Sequence, residues 1–224
     1  MSLFITFEGP EGSGKSTQIQ LLSQYLTSRN VSHVITREPG GTPFGDHLRS
    51  LLFDPRIART NLAEALLIAA GRNQHVVDLI LPNLAKGITV ISDRYVDSTL
   101  AYQGFGQIEK PDSNDINNLT LTIPQDTILD NLRTINRIAT LGLNPDITFL
   151  LDIDPIIGLN RKRTFQSDEW NHFEDRVLEY HQRVRQGYLK LASEETQRWQ
   201  VFDASQPIRN ISPRIISLVE SRIN

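Results

Sequence analysis

The amino-acid sequence predicts an α/β fold in which helices cover a parallel β-sheet. Three observations support this prediction. Short apolar runs typical of strands alternate along the chain with segments of helical periodicity. The first run, residues 3–7, is mainly apolar, as expected of a strand that is buried on both faces. Unusual residue clusters follow three of the strands, at the sheet edge where such folds bind ligands: residues 9–17, 37–43 and 93–94.

The individual elements can be assigned in chain order. The strand candidates are residues 3–7, 31–36, 88–92, 147–153 and 200–202. The first helix follows Gly14, and Ser16 or Thr17 can open it. The other helix candidates are residues 48–53, residues 62–85 with Pro82 as a kink or an end, and a last helix that starts at Ser212 with Pro213 in its first turn. Residues 106–144 are the least regular and are predicted to form a loop, a helix and a connection.

Length and composition exclude several classes of protein. The 224 residues fit one domain, or one domain with a lid, and 39% hydrophobic residues with 22% charged ones are typical of a folded protein. The absence of cysteine excludes a disulfide framework and any cysteine-based metal site. With 23 Lys+Arg against 26 Asp+Glu, the net charge of −3 gives no general attraction to nucleic acid or to anionic membranes. No apolar run reaches the roughly 18 residues of a membrane span. We therefore expect a cytoplasmic protein that binds neither nucleic acid nor membrane.

A phosphate-binding loop lies between the first predicted strand and the first predicted helix. It matches the pattern G-x-x-x-x-G-K-[ST] in full and consists of Gly9, Pro10, Glu11, Gly12, Ser13, Gly14, Lys15 and Ser16, followed by Thr17. The glycines let backbone N–H groups approach a phosphate, and the helix presents its positive end. Lys15 is expected to reach the β- and γ-phosphates of ATP, and Ser16 to ligate Mg²⁺. The loop alone leaves a GTPase, a motor ATPase and a small-molecule kinase open, although the guanine-reading N-K-x-D is absent.

Further sequence blocks, in their order along the chain, resemble bacterial thymidylate kinases. The blocks are residues 7–17, residues 36–43 with the sequence TREPGGTP, and residues 93–104, 145–155 and 183–189. Together they cover nearly the whole chain, and REPGGTP is the most specific of them. The resemblance implies a P-loop nucleotide kinase fold: one domain over residues 1–224, with a five-stranded parallel sheet, flanking helices and a small helical lid. The lid is expected at about residues 158–174, and an irregular insertion at about residues 106–144.

The resemblance also implies an activity, cofactors and partners. Members of this family transfer the γ-phosphoryl group of ATP to dTMP, giving dTDP and ADP, with Mg²⁺ as cofactor. They are homodimers, and the apolar helix predicted over residues 62–81 could supply the interface through its small face of Ala65, Leu66, Ala69 and Ala70. The same face could instead belong to the core of a single chain.

Specific roles for residues follow from the resemblance. Arg94 is expected to grip the dTMP phosphate, where a bidentate guanidinium suits the phosphate oxygens. Asp93 would orient Mg²⁺ or polarise the attacking phosphate, and Glu11 would accept a hydrogen bond from the deoxyribose 3′-hydroxyl. The other expected contacts to dTMP are Arg72 with the thymine carbonyl, Thr99 with the base edge, Tyr102 beside the sugar 2′ position, and Arg37, Arg49, Ile68, Ser98, Gln103 and Glu174 around the acceptor.

A catalytic arginine is expected in the lid. Family members carry it either in the phosphate loop or in the lid, and the loop position here is Gly12. Arg161 and Arg163, at the start of the predicted lid, are therefore the candidates, and the sequence does not choose between them. A guanidinium that closes over the transferred phosphoryl group can contribute about 10³-fold to the rate. The alternative interpretation is a solvated basic run on a helix.

Departures from the family pattern keep two other functions open. Ile68 stands where the family usually stacks thymine on a phenylalanine, which removes roughly 0.5–1.5 kcal/mol of aromatic stacking. Another aromatic residue, such as Phe105 or one from the lid, could compensate. Asn171 and His172 replace a common Asp-Arg pair of the lid. The alternatives are another P-loop nucleotide or nucleoside kinase and a catalytically silent nucleotide-binding module.

Overall fold

A single parallel sheet organises the chain. The computed structural model describes residues 2–107, 124–165, 174 and 176–223. Its five strands are β1 (Phe4–Glu8), β2 (His33–Arg37), β3 (Thr89–Asp93), β4 (Ile147–Asp152) and β5 (Trp199–Asp203), and their spatial order is β2-β3-β1-β4-β5. All four strand pairs are parallel, and Thr6 at the centre of β1 lies opposite Ser92 of β3 and Thr148 of β4. The predicted five-stranded parallel sheet with flanking helices is confirmed.

Helices connect the strands. Within the described residues they are α1 (Lys15–Ser28), α2 (Pro43–Phe53), α3 (Asn61–His75), α4 (Leu81–Ala85), α5 (Val96–Thr99), α6 (Gln125–Ala139), α7 (Pro155–Phe165), α8 (Leu178–Glu194) and α9 (Ile208–Ile223). A π-helical turn (Val76–Ile80) joins α3 to α4, and a second one (Leu100–Phe105) extends α5. The π-helical turn at Val76–Ile80 interrupts the long predicted helix. Pro82 follows it in the first turn of α4 and does not end the helix, which continues to Ala85.

Two predicted helix starts are wrong. Helix α2 begins at Pro43 and not at residue 48, because the Thr42 hydroxyl caps it by accepting a hydrogen bond from the Gly45 amide at 3.0 Å. Helix α9 begins at Ile208 and not at Ser212, so that Pro213 lies inside the helix. Its buried stripe begins at Ile211, and this packing extends the helix toward the amino terminus, beyond the proline.

Apolar packing on both faces of the sheet forms the core. On one face, Ile5 and Phe7 pack with the buried stripes of α1 and α9. On the other face, Phe4 packs against Val76 and Ile80 of the α3–α4 connection. Each fully buried side chain of this kind contributes about 1.5–3 kcal/mol relative to an exposed one. Since β1 is buried along its length, the loop that follows it starts from a fixed point.

The predicted insertion, residues 106–144, and the predicted lid, residues 158–174, lie partly outside the described residues. Their described parts include α6, which is the helix expected within the insertion, and α7, which carries the basic run of the lid. Asn171 and His172 lie outside the described residues. None of the described helices combines the length and apolar character that crossing a membrane requires.

Candidate active site

A cavity of about 790 Å³ opens at the carboxyl ends of the central strands. Most of the residues predicted for nucleotide, metal and acceptor binding line it. They are Glu11, Gly12, Ser13, Gly14, Lys15, Ser16, Thr17, Arg37, Arg49, Ile68, Arg72, Asp93, Arg94, Ser98, Thr99, Tyr102, Gln103, Arg161 and Glu174. Gly9 and Pro10 do not line the cavity, but their carbonyl oxygens accept hydrogen bonds from Lys15. Arg163 does not line this cavity; it borders a separate one of about 370 Å³ on the other side of Glu174.

The phosphate loop joins β1 to α1. Gly9 and Gly14 have φ angles of 143° and 90°, which side chains other than glycine rarely adopt. The Lys15 ammonium is buried and donates to the carbonyl oxygens of Gly9 (3.2 Å) and Pro10 (3.4 Å). Burial, followed by the nearby Arg94, lowers the pKa of Lys15 to about 8. The buried Ser13 hydroxyl has no hydrogen-bond partner among the described residues. A bound phosphate would give the Ser13 hydroxyl a hydrogen-bond partner and would place a negative charge beside the Lys15 ammonium.

Two oxygen ligands suited to Mg²⁺ meet between α1 and β3. The Ser16 hydroxyl donates to a carboxylate oxygen of Asp93 at 3.3 Å. Mg²⁺ prefers oxygen ligands and usually keeps several waters and substrate oxygens in its shell. The described residues contain no group of three or more His, Asp or Glu side chains that could form a complete metal cage. Ser16 and Asp93 therefore fit a Mg²⁺ ion that takes its remaining ligands from phosphates and water.

Arg94 follows β3 in an unusual backbone conformation. Its φ angle of 73° lies in the left-handed region, which costs a residue other than glycine about 1–3 kcal/mol. The Arg94 amide donates to the Phe7 carbonyl at 2.9 Å, which ties this turn to β1. Its Nη2 donates to Glu11 at 2.7 Å and to the Tyr102 hydroxyl at 3.0 Å. The surrounding structure thus holds the guanidinium beside the phosphate loop in spite of the strain.

Glu11 receives hydrogen bonds from three sides. Besides Arg94, the Tyr102 hydroxyl donates to it at 2.9 Å and the Lys162 ammonium at 3.1 Å. Although burial alone would raise the pKa of this carboxyl, Arg94, Lys162 and Lys15 hold it well below its usual range. Glu11 is therefore ionised at neutral pH and acts as a hydrogen-bond acceptor.

Lys162 is a site residue that the sequence analysis missed. Its buried ammonium bridges Glu11 of the phosphate loop and Glu174. Arg161 lines the same cavity but reaches neither carboxylate; it donates to the Ala204 carbonyl at 2.9 Å. Successive residues of a helix point in different directions, because the helix has 3.6 residues per turn. Helical spacing alone predicts that the basic side chains at 161, 162 and 163 do not all face one site. It does not predict which of them faces the site.

Arg72 is almost completely buried and is bonded through each of its nitrogens. Nε donates to Glu38 at 2.7 Å, and Nη2 donates to the Tyr95 carbonyl at 3.0 Å. Nη1 donates to Thr99 at 3.0 Å and to Asn136 of α6 at 2.6 Å. Removing one partner of such a buried ion pair typically costs about 3–5 kcal/mol. The sequence motifs contained no signal for the Asn136 contact, since it joins residues 64 positions apart.

The aromatic residue that lines the cavity beside Ile68 is not Phe105. Phe105 lies in the core and packs so closely on Gly187 that a Cβ there would lie 2.6 Å from the ring. Phe105 does not line the cavity, so of the two suggested substitutes for the stacking phenylalanine this one is wrong; the other, an aromatic residue at 166–173 of the lid, lies outside the described residues. Phe53, at the end of α2, lines the cavity together with Ile68. The Arg49 guanidinium lies over its ring at 4.4 Å from the centroid.

Besides the Lys162–Glu11 ion pair, the phosphate loop and α7 meet at a close backbone contact between Gly12 and Gly158. Gly12 has a φ of 66°, and a Cβ on it would lie 1.9 Å from the carbonyl oxygen of Gly158. A Cβ on Gly158 would lie 2.2 Å from the carbonyl oxygen of Glu11. Neither position can accept a side chain unless the loop or the helix moves. This contact places the basic residues of α7 beside the loop.

Comparisons with known proteins agree with this geometry. A profile of the family described as thymidylate kinase matches residues 7–133 and 123–215. The thymidylate kinases of Roseiflexus sp. (strain RS-1) and Carboxydothermus hydrogenoformans are each 45% identical to the chain; the matches cover 98% and 97% of it and 94% and 96% of those proteins. The crystal structure of thymidylate kinase from Ehrlichia chaffeensis has a TM-score of 0.69 at 32% identity and covers 97% of this chain and 98% of that one. On sequence and on structure alike, the chain belongs to the thymidylate kinase family.

Proposed function

We propose that the protein is a thymidylate kinase, which transfers the γ-phosphoryl group of ATP to dTMP and releases dTDP and ADP in dTTP biosynthesis. One observation carries the proposal beyond family membership. The phosphate loop with Lys15 and the acceptor candidates Glu11, Arg72 and Arg94 open into one cavity. Donor and acceptor phosphates can therefore meet in it without a large movement of the sheet. The proposal includes one P-loop kinase domain over residues 1–224 and a cytoplasmic location, where ATP is available.

The described side chains suggest how the reaction proceeds. The attacking group is a phosphate oxygen that is already anionic, so the site needs positioning and positive charge more than a general base. Lys15 and the loop amides bind the phosphates of ATP, and Arg94 holds the phosphate of dTMP. Ser16 and Asp93 would hold Mg²⁺, which supplies further positive charge at the transferred group. Glu11 stays ionised and accepts a hydrogen bond from the sugar hydroxyl.

Helix α7 provides the remaining cations. Lys162 already reaches Glu11, and Arg161 lines the same cavity. We assign Lys162 to the acceptor side of the site, since both of its carboxylate partners lie there. Arg161 is the better placed of the two lid arginines for the transferred phosphoryl group, because Arg163 borders the other cavity.

The test of this function is a comparison of acceptors. The purified protein would be supplied with ATP, Mg²⁺ and, in turn, dTMP, dUMP, dCMP, dGMP, UMP and thymidine, while ADP release is followed and the product is identified. We expect rapid turnover with dTMP that yields dTDP. Preferential turnover with a different acceptor would make the protein another nucleotide or nucleoside kinase. ATP binding without turnover on any acceptor would make it a silent nucleotide-binding module.

Phe53 is our candidate for the aromatic contact to thymine. We expect Phe53→Ala to raise the KM for dTMP about tenfold and to leave the KM for ATP unchanged, because aromatic packing contributes roughly 0.5–1.5 kcal/mol beyond burial. Phe44→Ala, on an exposed ring of the same helix, is the matched control. Steady-state kinetics of both variants would check this. An unchanged KM for dTMP in Phe53→Ala would place the base elsewhere.

We further propose a homodimer that is formed by the exposed face of α3 and its extension. Ala65 and Ala69 of the predicted small face are buried in the core of their own chain, whereas Leu62 and Leu66 are 58% and 49% exposed. Val77 and Leu81 continue the apolar stripe at helical spacing. An apolar stripe of this length on the surface is typical of an interaction site.

A charge in this stripe should separate the dimer. We expect Leu66→Glu to elute as a monomer in size-exclusion chromatography with light scattering, because the interface would have to bury an unpaired carboxylate. Leu141→Glu, at a leucine that is 65% exposed outside this stripe, should leave the mass of the wild type unchanged. A dimer of unaltered stability in Leu66→Glu would rule out this face as the interface.

A further inference from the structure

Glu8 is a buried acid to which the mechanism above assigns no role. It is the last residue of β1, has no exposed surface, and precedes the phosphate loop directly. Its carboxylate accepts three hydrogen bonds. The Tyr95 amide donates to Oε1 at 2.8 Å, and the hydroxyls of Ser98 and Tyr188 donate to Oε2 at 2.6 and 2.9 Å. A fully buried carboxylate with this many partners is costly to maintain, so its position calls for an explanation.

The same two hydroxyls also contact Arg94. Nη1 of Arg94 donates to the Ser98 oxygen at 3.1 Å and to the Tyr188 oxygen at 3.0 Å. A hydroxyl group has one proton and two lone pairs. The two hydroxyl oxygens also lie 2.7 Å apart, so one proton of the pair is directed to Glu8, the other to Glu8 or to the neighbouring hydroxyl, and lone pairs on the oxygens remain for the guanidinium. In its ionised form, Glu8 thus directs hydroxyl protons away from Arg94, so that both oxygens accept from one edge of the guanidinium.

The charges around Glu8 couple it to Arg94. Burial, and then the neighbouring Asp97, raise the pKa of Glu8 to about 7, while Arg94 and the hydroxyl donors act in the opposite direction. Lys15 on α1 also faces this group. Asp97 is itself neutralised by Arg198, which donates to it at 2.7 and 3.0 Å. The negative charge of Glu8 is therefore favoured while Arg94 is in place, and loss of Arg94 favours the neutral acid.

We propose that Glu8 and Tyr188 are positioning residues for Arg94. The carboxylate fixes the direction of the hydroxyl groups, and these hold the Nη1 edge of the guanidinium. Nη2 is held by Glu11 and Tyr102, and Nε, which donates to none of the described residues, remains for the acceptor phosphate. The inference rests on the proposed role of Arg94 as the ligand of the dTMP phosphate, and it adds residues that touch neither substrate.

The first test compares two buried tyrosines of α8. Tyr188→Phe removes the hydroxyl that touches Arg94, whereas Tyr180→Phe removes one that donates to the Tyr102 carbonyl at 3.3 Å. We expect Tyr188→Phe to raise the KM for dTMP about tenfold and to change the KM for ATP less than twofold, because a hydrogen bond to a charged group is lost. Tyr180→Phe should stay within twofold of the wild type in both constants. Equal KM values for dTMP in the two variants would overturn the role of Tyr188.

The second test separates positioning from a purely structural role of Glu8. We expect Glu8→Gln alone to weaken dTMP binding about tenfold. In a protein that already carries Arg94→Ala, the same substitution should not weaken dTMP binding further, because Glu8 acts only through Arg94. Calorimetric titration with dTMP measures the dissociation constant of the single and of the double variant. Losses that add in the double variant would overturn the proposal. If Glu8→Gln does not fold, the same cycle is run with Tyr188→Phe. Failure of the wild type to phosphorylate dTMP would refute the proposed function instead, and is seen before any variant is made.

Discussion

Replacing Arg94 by alanine should lower kcat/KM for dTMP by about three orders of magnitude. The structure holds this guanidinium between the phosphate loop and the acceptor side of the cavity, and its Nε donates to none of the described residues. Charge-assisted hydrogen bonds from a guanidinium to phosphate are among the strongest hydrogen bonds in proteins. Steady-state kinetics with dTMP as the varied substrate would measure the loss.

Two further variants distinguish the loss of the Arg94 charge from a change in folding and from the loss of any arginine. Arg94→Gly fits the left-handed backbone without strain and should be as inactive as the alanine variant, which separates the loss of charge from any change in folding. Arg133→Ala removes a half-exposed arginine of α6 that pairs with Asp130 and Glu194, and should retain full activity. Activity close to that of the wild type in Arg94→Ala would refute the acceptor-phosphate assignment.

Replacing Lys15 by methionine should lower kcat by about 10²–10³-fold and weaken ATP binding, while dTMP binding changes little. The ammonium is buried against the loop carbonyls of Gly9 and Pro10, and its pKa of about 8 leaves it protonated in most molecules at neutral pH. A bound polyphosphate raises that pKa further, since it adds negative charge beside the amine. Methionine keeps the length of the side chain and removes the charge, so the folded structure should survive.

The control for Lys15 is Lys190→Met, at an exposed lysine of α8 that pairs with Glu194. Its kinetic constants should equal those of the wild type. Fluorescent-nucleotide binding and single-turnover phosphoryl transfer together distinguish weak ATP binding from slow chemistry. A Lys15→Met enzyme that turns over at the wild-type rate would show that the loop cradles something other than the reacting phosphates.

Much of this architecture could be predicted, because local sequence determines it. Apolar runs specify strands, and the carboxyl ends of parallel strands share one edge. The loop after β1 and Asp93-Arg94 after β3 were therefore expected to meet, and they do. The start of α2 was missed although a local cap, Thr42, sets it, whereas two other errors arose where distant packing decides. The start of α9 depends on the core contacts of Ile211, and the position of Phe105 depends on the close approach of Gly187.

The supporting contacts of the site lay beyond sequence reasoning for the same physical reason. Tyr188 meets Arg94 across 94 residues, and Lys162 meets Glu11 across 151. No local pattern marks such pairs, because tertiary packing brings the side chains together. Motifs reveal the groups that act on phosphate, whereas the residues that orient those groups emerge only from the folded chain.

The contact between Gly12 and Gly158 also constrains how this enzyme can change during evolution. An arginine introduced at position 12 would resemble the family members that carry their catalytic cation in the phosphate loop. Here its Cβ would collide with the Gly158 carbonyl of α7. The substitution is therefore deleterious until α7 shifts, and a shift of α7 moves Lys162 and Arg161 away from the site. An arginine in the phosphate loop of this chain therefore requires a compensating change in the position of α7.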